Sequence, residues 1–145
     1  MAHSYVSSVF HIVFSTKQRM QLIHNQTRLW NYLAGIARNH GIQTLAVGGT
    51  GNHAHMLVVL PADTALSDAV RTLKANSSRW MRETDRPFAW QEGYGAFSVS
   101  PSQLERVTRY IANQAAHHRT HSFEEEFLAM LQAANIRFEP NRVFV

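Results

Sequence analysis

The sequence of 145 residues contains no cysteine. This absence excludes disulfide bonds and metal sites built from thiolates, and it agrees with a cytoplasmic protein, which is the location we expect. No apolar run approaches the roughly 20 residues that a membrane-spanning helix needs. The N-terminus also lacks the long apolar segment of a signal peptide. We therefore expect no membrane association, and any metal site must use histidine, carboxylate or amide ligands.

Acidic residues are also scarce relative to basic ones. The chain has 10 Asp and Glu against 14 Lys and Arg, which gives a net charge of +4. Residues 1–119 carry 12 of the cationic side chains and only 6 of the acids. Twelve of the 14 cations are arginine, whose planar group binds phosphate through two parallel hydrogen bonds. This balance is compatible with a nucleic-acid partner.

The length and the apolar content of 45% are those of one domain with one core, spanning residues 1–145. Hydrophobic periodicity predicts strand, helix, strand, strand, helix, strand and then two helices. This order is that of a ferredoxin-like βαββαβ sandwich of the α+β class: an antiparallel sheet with helices on one face, plus C-terminal helices. The first and third strands should form its central pair. The predicted elements span residues 5–15, 25–40, 42–47, 53–60, 66–83 and 96–100, with the last two helices starting after positions 101 and 122.

Capping boxes are predicted at the start of both C-terminal helices, in residues 102–105 and 122–125. Three consecutive acids, Glu124, Glu125 and Glu126, lie in the first turn of the last helix. The helix dipole favours negative charge there. We therefore interpret this acidity as structural and expect no catalytic role for it.

Two histidines at a spacing of two, His53 and His55, lie in the third strand. Because side chains alternate across a strand, both imidazoles project from one face and can reach one metal ion. The alternative is that they are buried histidines bonded to neighbouring backbone groups. The glycines that precede them do not form a phosphate-binding loop, because the turn leads into a strand and lacks a Gly-Lys-[Ser/Thr] sequence.

The first C-terminal helix carries a polar stripe made of Arg106, Tyr110, Gln114 and His117. Tyr110 is the only tyrosine with a metal-ligating side chain four residues later. We expect it to be a nucleophile that forms a covalent phosphotyrosine. Since a free tyrosine has a pKa near 10, it needs activation by a nearby metal or by a base such as His117.

A divalent ion held by His53, His55 and the amide oxygen of Gln114 would leave positions open for a phosphate, which it could polarise. His11 interrupts an apolar face of the first strand. It is either a core histidine bonded within the sheet or a second-shell residue near the metal.

Five cations are candidates for contact with DNA phosphates, although a solvated surface would explain them equally well. Two follow the first strand, two lie on one face of the second helix, and one precedes the tyrosine by one turn: Lys17, Arg19, Arg71, Lys74 and Arg106.

With these residues in place, the chain resembles the single-tyrosine HUH transposases of small single-strand insertion sequences (the insertion-sequence 200/605 type) and the REP-associated tyrosine transposases. The resemblance covers about residues 4–140. It is carried by residues 11–17 (HIVFSTK), 53–55 (HAH), 94–100 (YGAFSVS), 110–118 (YIANQAAHH) and 122–127 (SFEEEF).

The resemblance implies that His53, His55 and Gln114 bind Mg²⁺ or Mn²⁺ and that Tyr110 is the nucleophile. On ligand preference alone the imidazoles would suit Zn²⁺ as well. The family further implies a homodimer, in which the tyrosine helix of one subunit is able to complete the other subunit's site, and single-stranded DNA hairpins as substrates. Cleavage would leave a 5′-phosphotyrosine and a free 3′-hydroxyl.

Three other functions are compatible with parts of the sequence. A retained DNA-binding or regulatory protein on the same scaffold would not need Tyr110 and the three ligands together. A histidine-triad phosphohydrolase would need a third histidine at position 57, where the chain has Leu57. An RNA-binding ferredoxin-like module would need aromatic residues where Met56 and Val58 stand.

Overall fold

The computed structural model describes residues 3–84 and 87–145. Within these residues, four strands and five helices follow one another, with short 3-10 turns at Lys17–Arg19 and Pro101–Gln103. Their order confirms the predicted βαββαβ arrangement with C-terminal helices. The bounds are β1 Val9–Ser15, α1 Gln26–Asn39, β2 Gln43–Thr50, β3 His53–Val59, α2 Leu66–Thr84, β4 Gly95–Ser98, α3 Leu104–Ala112, α4 Gln114–His117 and α5 Phe123–Ala133.

The sheet is antiparallel, with the strand order β2-β3-β1-β4. β1 and β3 form the predicted central pair, and both are almost completely buried. Their register aligns Val13 with His55 and His11 with Leu57, so that odd-numbered residues of both strands share one face.

The two faces of the sheet differ in chemistry. The even-numbered face of β1 and β3 packs on α1 and α2 and forms the main apolar core, which includes Ile12, Met56, Leu33 and Leu73. The odd-numbered face carries a smaller apolar cluster in which Leu57 packs with residues of α3. The histidines of β1 and β3 also lie on this second face. The C-terminal helices therefore cover the face that carries the candidate site.

The first strand is shorter than predicted, because the ladder begins at Val9 and not at position 5. Val9 pairs with Val59, after which β3 ends before Pro61, whose ring nitrogen cannot donate to a ladder. β2 is longer than predicted and continues to Thr50, through two glycines assigned to the turn. A turn at Gly51 and Asn52 then connects the hairpin.

The predicted capping box at Ser102 is wrong. Pro101 opens a 3-10 turn, and the Ser102 hydroxyl bonds to Ser100 rather than to the helix backbone. The box at Ser122 is confirmed, since its hydroxyl accepts from Glu125 N and the Glu125 carboxylate accepts from Ser122 N.

The predicted tyrosine helix is divided at Asn113, whose N–H bonds to both Arg109 O and Tyr110 O. This tightened turn separates α3, which carries Tyr110, from α4, which carries Gln114. No helix within 3–84 or 87–145 is long and apolar enough to cross a membrane.

Candidate metal centre and nucleophile

The two histidines of the H-x-H motif lie side by side on the second face of the sheet. His53 and His55 are both fully buried, and their ring centroids are 5.0 Å apart. His11 projects from the neighbouring central strand onto the same face, and its Nε2 lies 2.7 Å from His55 Nδ1. Strand alternation and the register of β1 on β3 therefore bring three imidazoles together.

The Nδ1 atom of each motif histidine has a hydrogen-bond partner within the sheet or its turn. His53 Nδ1 lies 2.8 Å from Asn52 Oδ1, an atom that can only accept, so this nitrogen donates. Thr50 donates to the same Asn52 oxygen, and the Asn52 amide nitrogen donates to Arg19 O, which fixes its orientation. With Nδ1 of both rings anchored, their Nε2 atoms point towards the C-terminal helices. Such outer contacts are typical of metal-binding histidines.

Four polar side chains of the C-terminal segment lie next to the Nε2 atoms of His53 and His55 or to one another: Gln114, His118, Glu126 and Tyr110. Gln114 Oε1 lies 2.9 Å from His53 Nε2 and 3.0 Å from His118 Nε2. Glu126 Oε1 lies 3.0 Å from His55 Nε2 and 3.2 Å from His118 Nε2. The fourth group is the hydroxyl of Tyr110, which donates to Glu126 Oε2, and Gln114 Nε2 donates to the same oxygen from 3.0 Å.

The hydrogen-bond chemistry of this cluster fits a cation. His118 Nδ1 donates to His121 O, as His53 Nδ1 donates to Asn52, so in the neutral form of either ring Nε2 carries a lone pair. These lone pairs face Gln114 Oε1, which is also an acceptor. A metal ion or a second proton on the imidazole would stabilise such contacts. Ligands of Mg²⁺ at about 2.1 Å in octahedral geometry are about 3 Å apart, close to the observed separations.

A set of potential ligand atoms lies within 4.8 Å of one another, and it could hold a metal ion. Its members are His53, His55, His118 and Glu126. The amide oxygen of Gln114, predicted as the third ligand, points into the same group.

Burial changes the proton affinities of the cluster. Burial, together with the neighbouring His55, lowers the pKa of His11 to about 3, and burial lowers that of His55 to about 4. Burial raises the pKa of the Glu126 carboxyl, but contacts from His53, His55 and Tyr110 more than offset this and hold it well below its usual range. Burial and the hydrogen bond to Glu126 raise the pKa of Tyr110. Tyr110 is therefore protonated at neutral pH.

His117, predicted as a base, lies next to the carboxylate of Glu126. Its Nε2 is 3.5 Å from Glu126 Oε2, and its ring centroid is 5.5 Å from that of Tyr110. Glu126 is the group that accepts from the tyrosine hydroxyl, so His117 would act on Tyr110 through Glu126.

Two residues of the cluster were missed by sequence reasoning. Glu126 was assigned to the helix dipole, but its side chain is buried in the site instead of facing solvent. A signal existed, because Glu126 lies three residues after Phe123 and four before Met130, on the inward stripe of α5. His118, the second of these residues, has no role in the sequence analysis beyond its place in the segment 110–118.

Tyr110 lies between two surface cavities. One, of about 620 Å³, is bounded by β4, α3 and α5 and includes His11. The other, of about 720 Å³, is bounded by α3 and α4 and includes Arg109 and His117. Arg106 and Tyr110 line both cavities, so a cation and the predicted nucleophile share one continuous surface.

The other predicted DNA contacts have different surroundings. Lys17 is exposed, and Arg71 is exposed and pairs with Asp68 at 2.9 Å. Arg19 Nη1 donates to Phe144 O, and its guanidinium lies over the Phe144 ring. Lys74 donates to Gln91 O at 2.6 Å and to a second carbonyl of the same loop at 2.7 Å. Arg19 and Lys74 therefore already bind parts of their own chain.

The fold and the cluster define an α+β protein with a buried histidine and carboxylate centre beside a surface tyrosine. The family described as "Transposase IS200 like" matches residues 4–114, and the chain belongs to this family. The matched range includes Tyr110 and Gln114 but ends before His118 and Glu126.

Individual proteins that the chain resembles are also described as transposases. The chain is 24% identical over 115 residues to the ISDra2 transposase TnpA of Deinococcus radiodurans, covering 72% of this chain and 82% of the relative. A crystal structure of a candidate transposase from Deinococcus radiodurans R1 matches with a TM-score of 0.62 and 24% identity, over 79% of this chain and 96% of the other. A REP-associated tyrosine transposase bound to a REP hairpin matches with a TM-score of 0.62 and 16% identity, over 81% and 73%. These structures support the fold.

Proposed function

We propose that the protein is a metal-dependent transposase and endonuclease that cleaves and rejoins single-stranded DNA through a 5′-phosphotyrosine. One observation carries this proposal: the hydroxyl of Tyr110 is bonded to the same carboxylate that contacts the imidazoles of His53 and His55. A nucleophile and a candidate metal centre thus share one buried group. Binding alone requires no such connection.

His53, His55 and Gln114 would hold Mg²⁺ or Mn²⁺, with His11 and Asn52 fixing the two imidazoles from behind. When bound, the ion would supply positive charge that polarises the phosphate. The oxygen of Tyr110 would attack phosphorus, forming a tyrosyl ester bond as the bond to the 3′-oxygen breaks. The tyrosine proton would pass to Glu126 Oε2, where the hydroxyl already donates. The 3′-oxygen would leave as an alkoxide and take a proton from solvent to become a free hydroxyl.

DNA hairpins are the proposed substrates, by analogy with the relative whose structure contains a REP hairpin. The strand would cross the surface shared by Arg106 and Tyr110. A homodimer is also part of the proposal. Within one chain Tyr110 already contacts its own cluster, so a site in cis requires no helix from a second subunit.

A cleavage assay tests the mechanism. Single-stranded hairpin DNA from the flanks of the gene, labelled at the 5′ or the 3′ end, is incubated with Mg²⁺, Mn²⁺ or EDTA and resolved on a denaturing gel. We expect a metal-dependent covalent adduct on the fragment that has its 5′ end at the break, absent in Tyr110→Phe. Binding without any adduct, from folded and metal-loaded protein, would favour the retained DNA-binding function instead.

The proposed phosphate contacts can be ranked by their salt dependence. Lys17, Arg71 and Arg106 are exposed, and each should lower the salt slope of binding by about 0.7–0.9 when replaced by alanine. Arg19 and Lys74 are also predicted contacts, but their internal hydrogen bonds should make their effect on the slope smaller. An unchanged slope in all five variants would contradict the assignment.

A further inference from the structure

Glu126 has an environment that neither the helix dipole nor the matched family region accounts for. Its side chain is 1% exposed, although it belongs to the first turn of an otherwise surface-lying acidic segment. It lies twelve residues beyond Gln114, the last residue of the family match. A buried carboxylate is costly unless it is paired with positive charge or bonded to a metal.

The two carboxylate oxygens of Glu126 face different groups. Oε1 is on the imidazole side, 3.0 Å from His55 Nε2, 3.2 Å from His118 Nε2 and 3.4 Å from His53 Nε2. Oε2 is on the tyrosine side, where it accepts from Tyr110 and from the amide of Gln114. One side chain therefore contacts both the candidate ligands and the nucleophile.

The positive charge that this carboxylate needs is not supplied by lysine or arginine. Within the described residues, every ion-pair partner of Glu126 is a histidine. His53 Nε2 and His118 Nε2 also lie 2.9 and 3.0 Å from Gln114 Oε1, so several potential ligand atoms converge on one point. A divalent ion would satisfy the carboxylate and these donors at once.

We propose that Glu126 is a ligand of the divalent ion through Oε1 and that its Oε2 holds the hydroxyl of Tyr110, whose proton it would accept. This inference deepens the proposed function and rests on it for the role of Tyr110. An anionic oxygen also makes the donor set more suitable for Mg²⁺ or Mn²⁺ than two imidazoles and an amide would be. The last helix, α5, is then part of the metal site.

The first test measures metal binding without DNA. Mn²⁺ is titrated into the full chain, and its affinity is read by calorimetry and by the loss of the free-ion paramagnetic resonance signal. We expect Glu126→Gln to weaken Mn²⁺ binding at least tenfold. Glu125→Gln is the matched control, because it removes the same charge one position away while glutamine can still close the capping box. Its affinity should stay within twofold of the wild type.

A folded Glu126→Gln variant that binds Mn²⁺ as tightly as the wild type would overturn the ligand role. If this variant does not fold, the wild type supplies the answer. In protein labelled with ¹³C at the glutamate carboxyls, sub-stoichiometric Mn²⁺ should broaden one resonance that persists in Glu125→Gln. Uniform broadening of all carboxyl signals would refute the proposal.

The tyrosine contact needs its own measurement. In Zn²⁺-loaded or Mg²⁺-loaded protein, the exchange of the Tyr110 hydroxyl proton should be slow in the wild type and at least tenfold faster in Glu126→Gln. Failure of the wild type to form a phosphotyrosine would remove the proposed function but leave the metal-affinity result standing. The metal-ligand role of Glu126 and the proposed DNA cleavage can therefore be refuted separately.

Discussion

Gly48 determines how closely the tyrosine helix approaches the sheet. A Cβ added at this position would lie 2.6 Å from Ile111 O and 3.1 Å from Ile111 Cγ2. Ordinary contact begins near 3.4 Å, so Gly48→Ala requires the strand and α3 to separate by about 0.8 Å. Overpacking of this kind costs about 1–3 kcal/mol. Alanine offsets up to about 1 kcal/mol of this loss, because it reduces the conformational entropy of the unfolded chain.

We therefore expect Gly48→Ala to lower the free energy of unfolding by about 1–2 kcal/mol. The residue before Ile111 is Tyr110, so the displacement also moves the proposed nucleophile. A misplacement approaching 1 Å should reduce DNA cleavage by about ten- to a hundredfold.

Urea unfolding and the cleavage assay measure the two effects. Gly35→Ala is the matched control, because the nearest atom to its added Cβ is 3.8 Å away and the residue lies inside α1. In a helix this exchange should stabilise the protein by about 0.5–1 kcal/mol. If Gly48→Ala is as stable and as active as Gly35→Ala, the close approach does not position the tyrosine helix.

Two further predictions concern pH and helix capping. Burial lowers the pKa of His55 from 6.5 to about 4 and that of His11 to about 3, so below pH 6.5 the unfolded chain binds protons that the folded chain does not. In EDTA the free energy of unfolding should therefore fall as the pH drops from 6.5 towards 4, and His55 should contribute about 3 kcal/mol to this fall. In urea titrations, His55→Gln should reduce the dependence of the unfolding free energy on pH. A slope that is the same in both proteins would contradict the assignment. Ser122→Ala should cost about 0.5–2 kcal/mol, because it removes the N-cap of α5, whereas Ser102→Ala, which removes no cap, should change stability by less than about 0.5 kcal/mol. Equal losses in the same urea assay would show that the cap at Ser122 does not stabilise α5.

The parts of the fold and site that could be predicted are those encoded locally. Alternation along β3 places His53 and His55 on one face, and helical periodicity places Tyr110 and Gln114 one turn apart. The predicted strand order follows from the sequence of elements and the apolar character of the two central strands. These signals need only neighbouring residues.

The remaining features depend on contacts between distant segments. Glu126 lies in the cluster only because α5 packs over β3. Its position in the first turn of a helix already explains its negative charge locally, so the sequence gives no reason to look for a second role. The false cap at Ser102 shows the same limit, since the motif was present but Pro101 directed the backbone into a 3-10 turn. The break at Asn113 also had no periodic signature.

The long sequence separation inside the cluster has a consequence for biosynthesis. His55 and Glu126 are 71 positions apart, and α5 leaves the ribosome after both central strands and the tyrosine helix. A nascent chain that ends before α5 would carry Tyr110 without the carboxylate that holds it. The order of translation thus delays assembly of the candidate metal centre until the scaffold around it has been made.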